Sequence, residues 1–357
     1  MPKISLLSGA YKNAGDFLIE NRARNLILHN YPNCEIHKFL RNEVSSKFDE
    51  INSSDVIVFT GGPIYQKQIE NHMDVDTCLK FTKPLMIIGG GWRGMTDSSR
   101  EPYSYKFSSK SVDFLAKVQD GIGLGCRDLF SVKALKKEGL KNVVMTGCPA
   151  WYSIPHVNGI ELKSNEQIKT IMISDPAVSY NYNLVLPLVN YLQEKFKGAQ
   201  ITFVFHRGIE KSDRNVSKML NQLRNTTVRI VDISNSIDGF SMYDSCDLHI
   251  GFRVHAHIYN LSIRNRSILI EEDGRGAGVD EALGLPSITA HRNNYFTSKI
   301  KLRKYLHNYN LYCNNYILHD LDTYINSLID TDYQYLRNAY SMQKSYFNIM
   351  CDFIRRI

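Results

Sequence analysis

Short apolar runs alternate with amphipathic stretches along most of this chain. In the first half KISLLSG, EIHKFL, DVIVFTGG, LMIIGGG, GIGLGCRD and NVVMTGCPA predict strands. Several are near-continuous in Val, Ile and Leu, the pattern of parallel strands covered on both faces. Between them, residues 16–29 place Phe17, Leu18, Leu26 and Ile27 close to helical spacing. Residues 129–138 follow Asp128, a good N-cap, and finish with Lys136, Lys137 and then Gly139, which predicts a second helix. A polar stretch at 155–168, PHVNGIELKSNEQI, reads as a linker or crossover. The alternation then restarts with TIMISD, a helix near 184–197, QITFVFH, a helix near 211–224, VRIVDIS, LHIGF and SILIEED. Residues 298–357 read as helical, with many Tyr and Asn.

Strands alternating with helices predict the α/β class and doubly wound sheets. Two such runs of similar size predict two Rossmann-like domains facing a cleft, over residues 1–155 and 165–297. The C-terminal helical segment, 298–357, is expected to cross back to the first domain. Its end, KSYFNIMCDFIRRI, is mildly amphipathic and basic, and reads as a packed helix before a membrane contact.

Composition narrows the class. The 357 residues are enough for two ordinary domains, and 43% hydrophobic with 22% charged residues is normal for a folded soluble protein. No apolar run approaches the length of a membrane span, and the first residues lack a secretory apolar region. Seven cysteines, an odd number with no C-x-x-C pair, argue against a disulfide framework or structural zinc and fit a reducing cytoplasm. A net charge of +7 fits an anionic ligand, a phospholipid surface or nucleic acid. No nucleic-acid-binding signature accompanies it, so no nucleic-acid partner is expected.

The chemistry is expected where strands hand over to helices, because free backbone N–H groups there favour anions. Arg253 and His255 follow LHIGF, and Asp273, Gly274 and Arg275 follow SILIEED. A fixed positive charge and an imidazole two residues apart suggest anion handling coupled to proton transfer. Arg127 follows GIGLGC and precedes the N-cap Asp128, so it reads either as a second anion contact or as a salt bridge to Asp128. Asn13, Gly15 and Asp16 after the first strand read as a ligand loop or as a tight turn with a helix cap. The clusters Gly61–Gly62 and Gly89–Gly90–Gly91 end strands and would let a substrate lie against the backbone, or serve only as turns. Trp92 offers an aromatic face to a sugar ring, whereas Trp151 reads as core. His206 and Arg207 end QITFVFH and are candidate substrate contacts. No metal-ligand spacing is present, so no metal is expected. Cys148 reads as a small buried side chain rather than a nucleophile.

Taken in order, several of these elements resemble the polysaccharide pyruvyl transferases. The family's Asn-x-Gly-Asp start corresponds to Asn13–Asp16. Its Arg-Asp-x-x-Ser-x-x-x-Leu element corresponds to Arg127, Asp128, Ser131 and Leu135. Its Gly-Asp-Pro-Ala corresponds to Gly147–Ala150, with Cys148 where Asp is usual. Its Arg-x-His, acidic-basic turn and Leu-Gly-Leu correspond to Arg253–His255, Asp273 with Arg275, and Leu283–Leu285. The resemblance implies the GT-B type of two-domain architecture. It implies transfer of the pyruvyl group of phosphoenolpyruvate onto two hydroxyls of a saccharide in surface-polysaccharide synthesis. Arg127 and Arg253 would bind the donor, and His255 would protonate its methylene. No cofactor is implied beyond that donor substrate. The saccharide acceptor would be lipid-linked, and the enzyme cytoplasmic or peripheral at the inner membrane face, with the oligomeric state open. The alternative is a GT-B glycosyltransferase using a nucleotide-activated sugar, with a CMP-linked acidic sugar as one candidate.

Overall fold

The computed structural model describes residues 1–94, 105–162, 167–293, 311–313 and 316–357. Residues 163–166 of the expected linker and 298–310 of the expected helical segment lie outside the described residues. The chain divides into two compact units. One takes in Met1–Arg93, the described residues 105–158 and Ser341–Ile357, and the other contains Gly159–Tyr340.

The first unit runs β1 (Lys3–Ser8), α1 (Ala14–Asn30), β2 (Glu35–Leu40), α2 (Phe48–Asn52), β3 (Val56–Phe59), β4 (Gly62–Tyr65), α3 (Val75–Cys78), β5 (Leu85–Trp92), α4 (Ser109–Asp120), β6 (Gly123–Cys126), α5 (Leu129–Lys137) and β7 (Val143–Met145). Its parallel sheet has the order β2-β1-β3-β5-β6-β7, with β4 pairing β5 off this path. The apolar runs end up central for the expected reason: Ile57, Val58, Ile87 and Ile88 are fully buried, while the edge strand β2 is only half covered. Asp128 caps α5 by accepting the Ser131 N–H, as its place before the helix predicts. The strand β4 escapes sequence reading because Gly-Gly-Pro reads as a turn; Gly62 adopts φ +87 and still pairs with Gly90.

The second unit runs β8 (Thr170–Ser174), α6 (Val185–Lys195), β9 (Gln200–Phe205), α7 (Arg214–Leu223), β10 (Arg229–Asp232), β11 (Leu248–Gly251), α8 (Val254–Ser262), β12 (Arg266–Glu271), α9 (Gly274–Leu283), β13 (Ile288–Thr289), β14 (His291–Asn293), β15 (Leu311–Cys313), α10 (Ile317–Asp330) and the start of α11 (Gln334–Ile354). Its main sheet, again parallel, has the order β10-β9-β8-β11-β12-β13. The last part of α11, from Ser341, belongs to the first unit. There Phe347 packs against Tyr152, and Tyr346 against Trp151. Trp151 is fully buried, as its reading as core predicts. Among the described residues no helix is long and apolar enough to cross a membrane.

Candidate functional site

In the second unit β8, β11 and β12 are neighbours in register, Ser174 opposite Gly251 and Gly251 opposite Leu269. Their C-terminal ends therefore level off together, and the residues that follow each strand meet. Gly251 is required for this approach, because a Cβ there would overlap the Ser174 backbone and hydroxyl. Arg253 sits at the N-cap of α8 and donates its backbone N–H to Ser174 Oγ at 3.0 Å. Its guanidinium grips Asp175 with both prongs, Nε to Oδ1 at 2.7 Å and Nη2 to Oδ2 at 2.5 Å, and Nη2 also reaches the Pro176 carbonyl at 3.2 Å. Burial opposes the charge on Arg253, but the Asp175 carboxylate outweighs it and holds the guanidinium protonated above its usual range. In the first turn of the helix His255 is 8% exposed.

Two further acids complete the edge. Glu272 accepts hydrogen bonds from the Ala177 N–H at 2.6 Å, the Val178 N–H at 3.0 Å and Asn181 Nδ2 at 2.7 Å. Burial outweighs these bonds and pushes its carboxyl up to about 7. Asp273 caps α9 by accepting the Arg275 N–H at 3.0 Å, and the Arg275 guanidinium folds back onto it at 2.7–2.9 Å. The Asp273 charge, first among its influences, raises the Arg275 guanidinium despite burial. The edge thus presents two arginines, each already paired to an aspartate. A guanidinium held this way is preoriented.

The acids Asp175 and Glu272 were missed by sequence reasoning, although TIMISD and SILIEED each end in an acid at the same strand end that makes Arg253 conspicuous. His206 is brought to this region in a different role from the expected one. Its ring is fully buried with Nε2 2.8 Å from the Tyr243 hydroxyl, and burial holds it well below the usual imidazole range. No face is left for a substrate; instead its backbone N–H supports Asp175 Oδ1 at 3.1 Å. Arg207 is exposed beyond the end of β9.

The Glu272 shift has a measurable consequence. A carboxyl raised in the folded state is neutral there while its unfolded counterpart ionises, so folding stability falls as pH rises from the ordinary value of 4.5 to about 7. The contribution is on the order of 3 kcal/mol across that window. Glu272→Gln, which cannot ionise, is expected to gain stability relative to the parent between pH 5 and pH 7, as read by urea denaturation at both values.

The strand ends of the first unit hold most of the remaining candidates. Arg127 is 2% exposed. Its backbone N–H donates to the Gly90 carbonyl at 2.8 Å, Nη2 to the Trp92 carbonyl at 3.0 Å, and Nε lies 3.3 Å from Asp128 Oδ2. The salt bridge to Asp128 is therefore what forms. Burial pushes the Asp128 carboxyl up, with Arg127 pulling the other way. Gly90 and Gly91 serve packing rather than ligand approach: a Cβ on Gly90 would meet the Tyr65 ring at 2.6 Å, and one on Gly91 would overlap the Arg127 guanidinium. Gly91→Ala is expected to cost about 1–3 kcal/mol by overpacking, measurable in the same denaturation assay. Trp92 is 1% exposed, edge-on to Tyr105 and Phe130, so it cannot stack on a sugar. Cys148 is buried and its thiol is pushed up to about 11 by that burial, which leaves it inert near neutrality.

Asn13 caps α1, accepting the Gly15 N–H at 3.4 Å and donating to Asp16 at 3.2 Å. Asp16 and Gly62 line a cavity of about 180 Å³ together with Gly9, Tyr11, Arg41 and His72; Asn13 and Gly15 do not line it. Arg41 is the residue that sequence reasoning overlooked. It follows EIHKFL as Arg253 follows LHIGF, and donates through Nη2 to the Thr60 carbonyl and to the Gly61 carbonyl at 2.8 Å. Burial pulls its guanidinium down to about 10, against the nearby Asp16 and Tyr11.

Comparison with known proteins agrees with this architecture. A family model described as polysaccharide pyruvyl transferase matches residues 13–259. No curated protein matches the sequence. Among solved structures the chain is similar to MnaA of S. aureus with UDP, at TM-score 0.56 and 12% identity, covering 95% of this chain and 91% of that one. It is similar to UDP-GlcNAc 2-epimerase from Neisseria meningitidis bound to UDP-GlcNAc, at TM-score 0.56 and 10% identity, with 100% of each chain covered. HepE of Anabaena in complex with UDP-glucose matches at TM-score 0.51 and 12% identity, over 99% and 98% of the two chains. At these identities the likeness shows the fold, two Rossmann-like domains of the GT-B kind.

Proposed function

Because this chain belongs to the polysaccharide pyruvyl transferase family, we propose that it moves the pyruvyl group of phosphoenolpyruvate onto two hydroxyls of one sugar residue. The single observation that supports this reading most is the Arg253–His255 turn, an oriented guanidinium and an imidazole at one strand end of the second unit. The reaction needs both. A proton delivered to the donor methylene makes it a methyl group and turns C2 into an oxocarbenium-like electrophile. Two acceptor hydroxyls add to C2 and release two protons, and the bond from C2 to the phosphate oxygen breaks as phosphate leaves with one of them. The other proton restores the acid. His255 delivers that first proton in this reading, and the dianionic donor favours its charged form. The remaining edges of Arg253 and Arg275 hold the donor's carboxylate and phosphate. Arg127, whose side chain is 3% exposed against 13% for Arg253, enters only as a positioning residue of the first unit.

The acceptor in this reading is a saccharide of a surface polysaccharide carried on a lipid, and the enzyme works at the inner face of the membrane. The test is binding. Phosphoenolpyruvate is expected to raise the melting temperature by mass action, while UDP- and CMP-sugars leave it unchanged. A shift with a nucleotide sugar and none with phosphoenolpyruvate replaces this reading with a glycosyltransferase. Donor turnover is further expected to survive EDTA, since guanidinium groups offset the donor charge.

A further inference from the structure

Beneath the Arg253–His255 turn the second unit buries a row of polar side chains that the reaction itself does not use. His249 lies inside the sheet on β11, with Nε2 3.0 Å from Ser174 Oγ and Nδ1 2.7 Å from Ser267 Oγ. The same Ser267 hydroxyl lies 2.8 Å from Nδ1 of His257 on α8. His257 Nε2 faces Asp280 Oδ1 of α9 at 3.4 Å, long for a hydrogen bond, and neither atom has another partner. Asp280 in turn is hydrogen-bonded to Glu271, so the two carboxyls share a proton. Ser174, His249, Ser267, His257, Asp280 and Glu271 are all 2% exposed or less.

Proton counting gives this row a direction. With the proton of the acid pair held between Asp280 and Glu271, Asp280 Oδ1 has no hydrogen to give, so the His257 Nε2 facing it carries one and His257 Nδ1 is an acceptor. Ser267 has one hydroxyl hydrogen between two Nδ1 atoms and must give it to His257. His249 Nδ1 therefore carries a hydrogen and donates to Ser267, which leaves His249 Nε2 an acceptor. The Ser174 hydroxyl donates to it, and the Ser174 lone pairs are left for the Arg253 N–H.

We propose that Ser174, His249, Ser267 and His257, with Asp280 facing the last ring, form a one-way hydrogen-bond relay whose function is to position the Arg253–His255 turn. In this direction the Ser174 hydrogen is committed to His249 Nε2, which fixes the hydroxyl with its lone pairs toward the Arg253 N–H; in the reverse direction that hydrogen has no relay acceptor and the hydroxyl is no longer oriented. Desolvation supports the neutral rings the relay needs: it holds His249 well below the usual imidazole range, with His257 and His206 adding to it, and it holds His257 at about 3. The positioning role rests on the reading of Arg253 and His255 as donor-handling residues. The relay itself is measured without substrate, so the two fail separately.

The experiment is histidine nitrogen NMR on the full chain with no ligand added, together with amide exchange. The expected result is opposite neutral tautomers, Nδ1–H at His249 and Nε2–H at His257, with neither ring titrating between pH 5 and pH 8. Identical tautomers, the reversed pair with Nε2–H at His249 and Nδ1–H at His257, or an imidazolium in that range, would overturn the relay. Ser267→Ala is expected to speed exchange of the Arg253 amide about tenfold, the loss of one buried hydrogen bond, and Ser267→Thr, which keeps the hydroxyl, to restore it. Equal protection of that amide in parent and Ala variant would overturn the positioning role. The tautomers of the parent decide the proposal if the Ala variant does not fold.

Discussion

His255→Gln is expected to cut turnover with phosphoenolpyruvate and a saccharide acceptor by about a hundred- to ten-thousand-fold, the usual loss when a general acid is removed. Donor binding should survive, because Gln keeps a hydrogen-bonding tip of similar reach. The site makes this separation clean. In the proposed reading the donor is held by Arg253 and Arg275, each fixed by its own aspartate, and neither pair includes the imidazole. Thermal shift by phosphoenolpyruvate measures binding, and phosphate release measures turnover. A parent enzyme that needs an imidazolium should also lose activity as pH rises through the value of His255 in the donor complex, and the Gln variant should lack that limb. Near-full turnover of the Gln variant would remove His255 as the acid. An unchanged turnover with lost binding would instead make the imidazole a donor contact.

The features that sequence made visible are those in which one residue's type and place suffice. The runs TIMIS and SILIE read as strands because parallel strands covered on both faces are apolar throughout, and Ile171, Ile173, Ile268 and Ile270 are buried accordingly. Arg253 and His255 stood out because charge after an apolar run marks a strand end. Their partners did not stand out. Asp175 becomes a partner of Arg253 only when the register sets Ser174 beside Gly251, across 78 residues of sequence. An acid ending a strand otherwise reads as an ordinary cap. His249 lay unnoticed inside LHIGF for the same reason: its two serine partners arrive from β8 and β12. The glycines misled in the other direction. A glycine cluster at a strand end suits a ligand, but Gly90 and Gly91 make way for Tyr65 and Arg127, which the sequence places 25 and 36 residues away. Arg41 also follows an apolar strand and went unremarked, and it lines the cavity of the first unit that Asp16 and Gly62 border.

Asp175→Ala is expected to be the most damaging single change in the second unit. The carboxylate is 1% exposed and holds both prongs of Arg253, the His206 N–H at 3.1 Å and the Tyr182 hydroxyl at 3.4 Å. Removing it strands a guanidinium whose side chain is only 13% exposed, and an uncompensated buried charge typically costs about 3–5 kcal/mol. Asp175→Asn keeps the shape and one acceptor oxygen, so it should fold more stably than the Ala variant while its Arg253 is less firmly oriented. Urea denaturation should therefore rank parent, Asn and Ala in descending stability. Donor affinity is expected to fall in the Asn variant as well. Free of its carboxylate, the Arg253 fork in the Asn variant can turn to an incoming anion, but the turn is no longer preset, and ordering it on binding opposes the gain. Losing one bidentate partner while keeping the fold is expected to weaken phosphoenolpyruvate binding, since an oriented fork binds a carboxylate better than a mobile one. Tighter donor binding in the Asn variant would show that Asp175 competes with the donor for Arg253 rather than presenting the guanidinium to it.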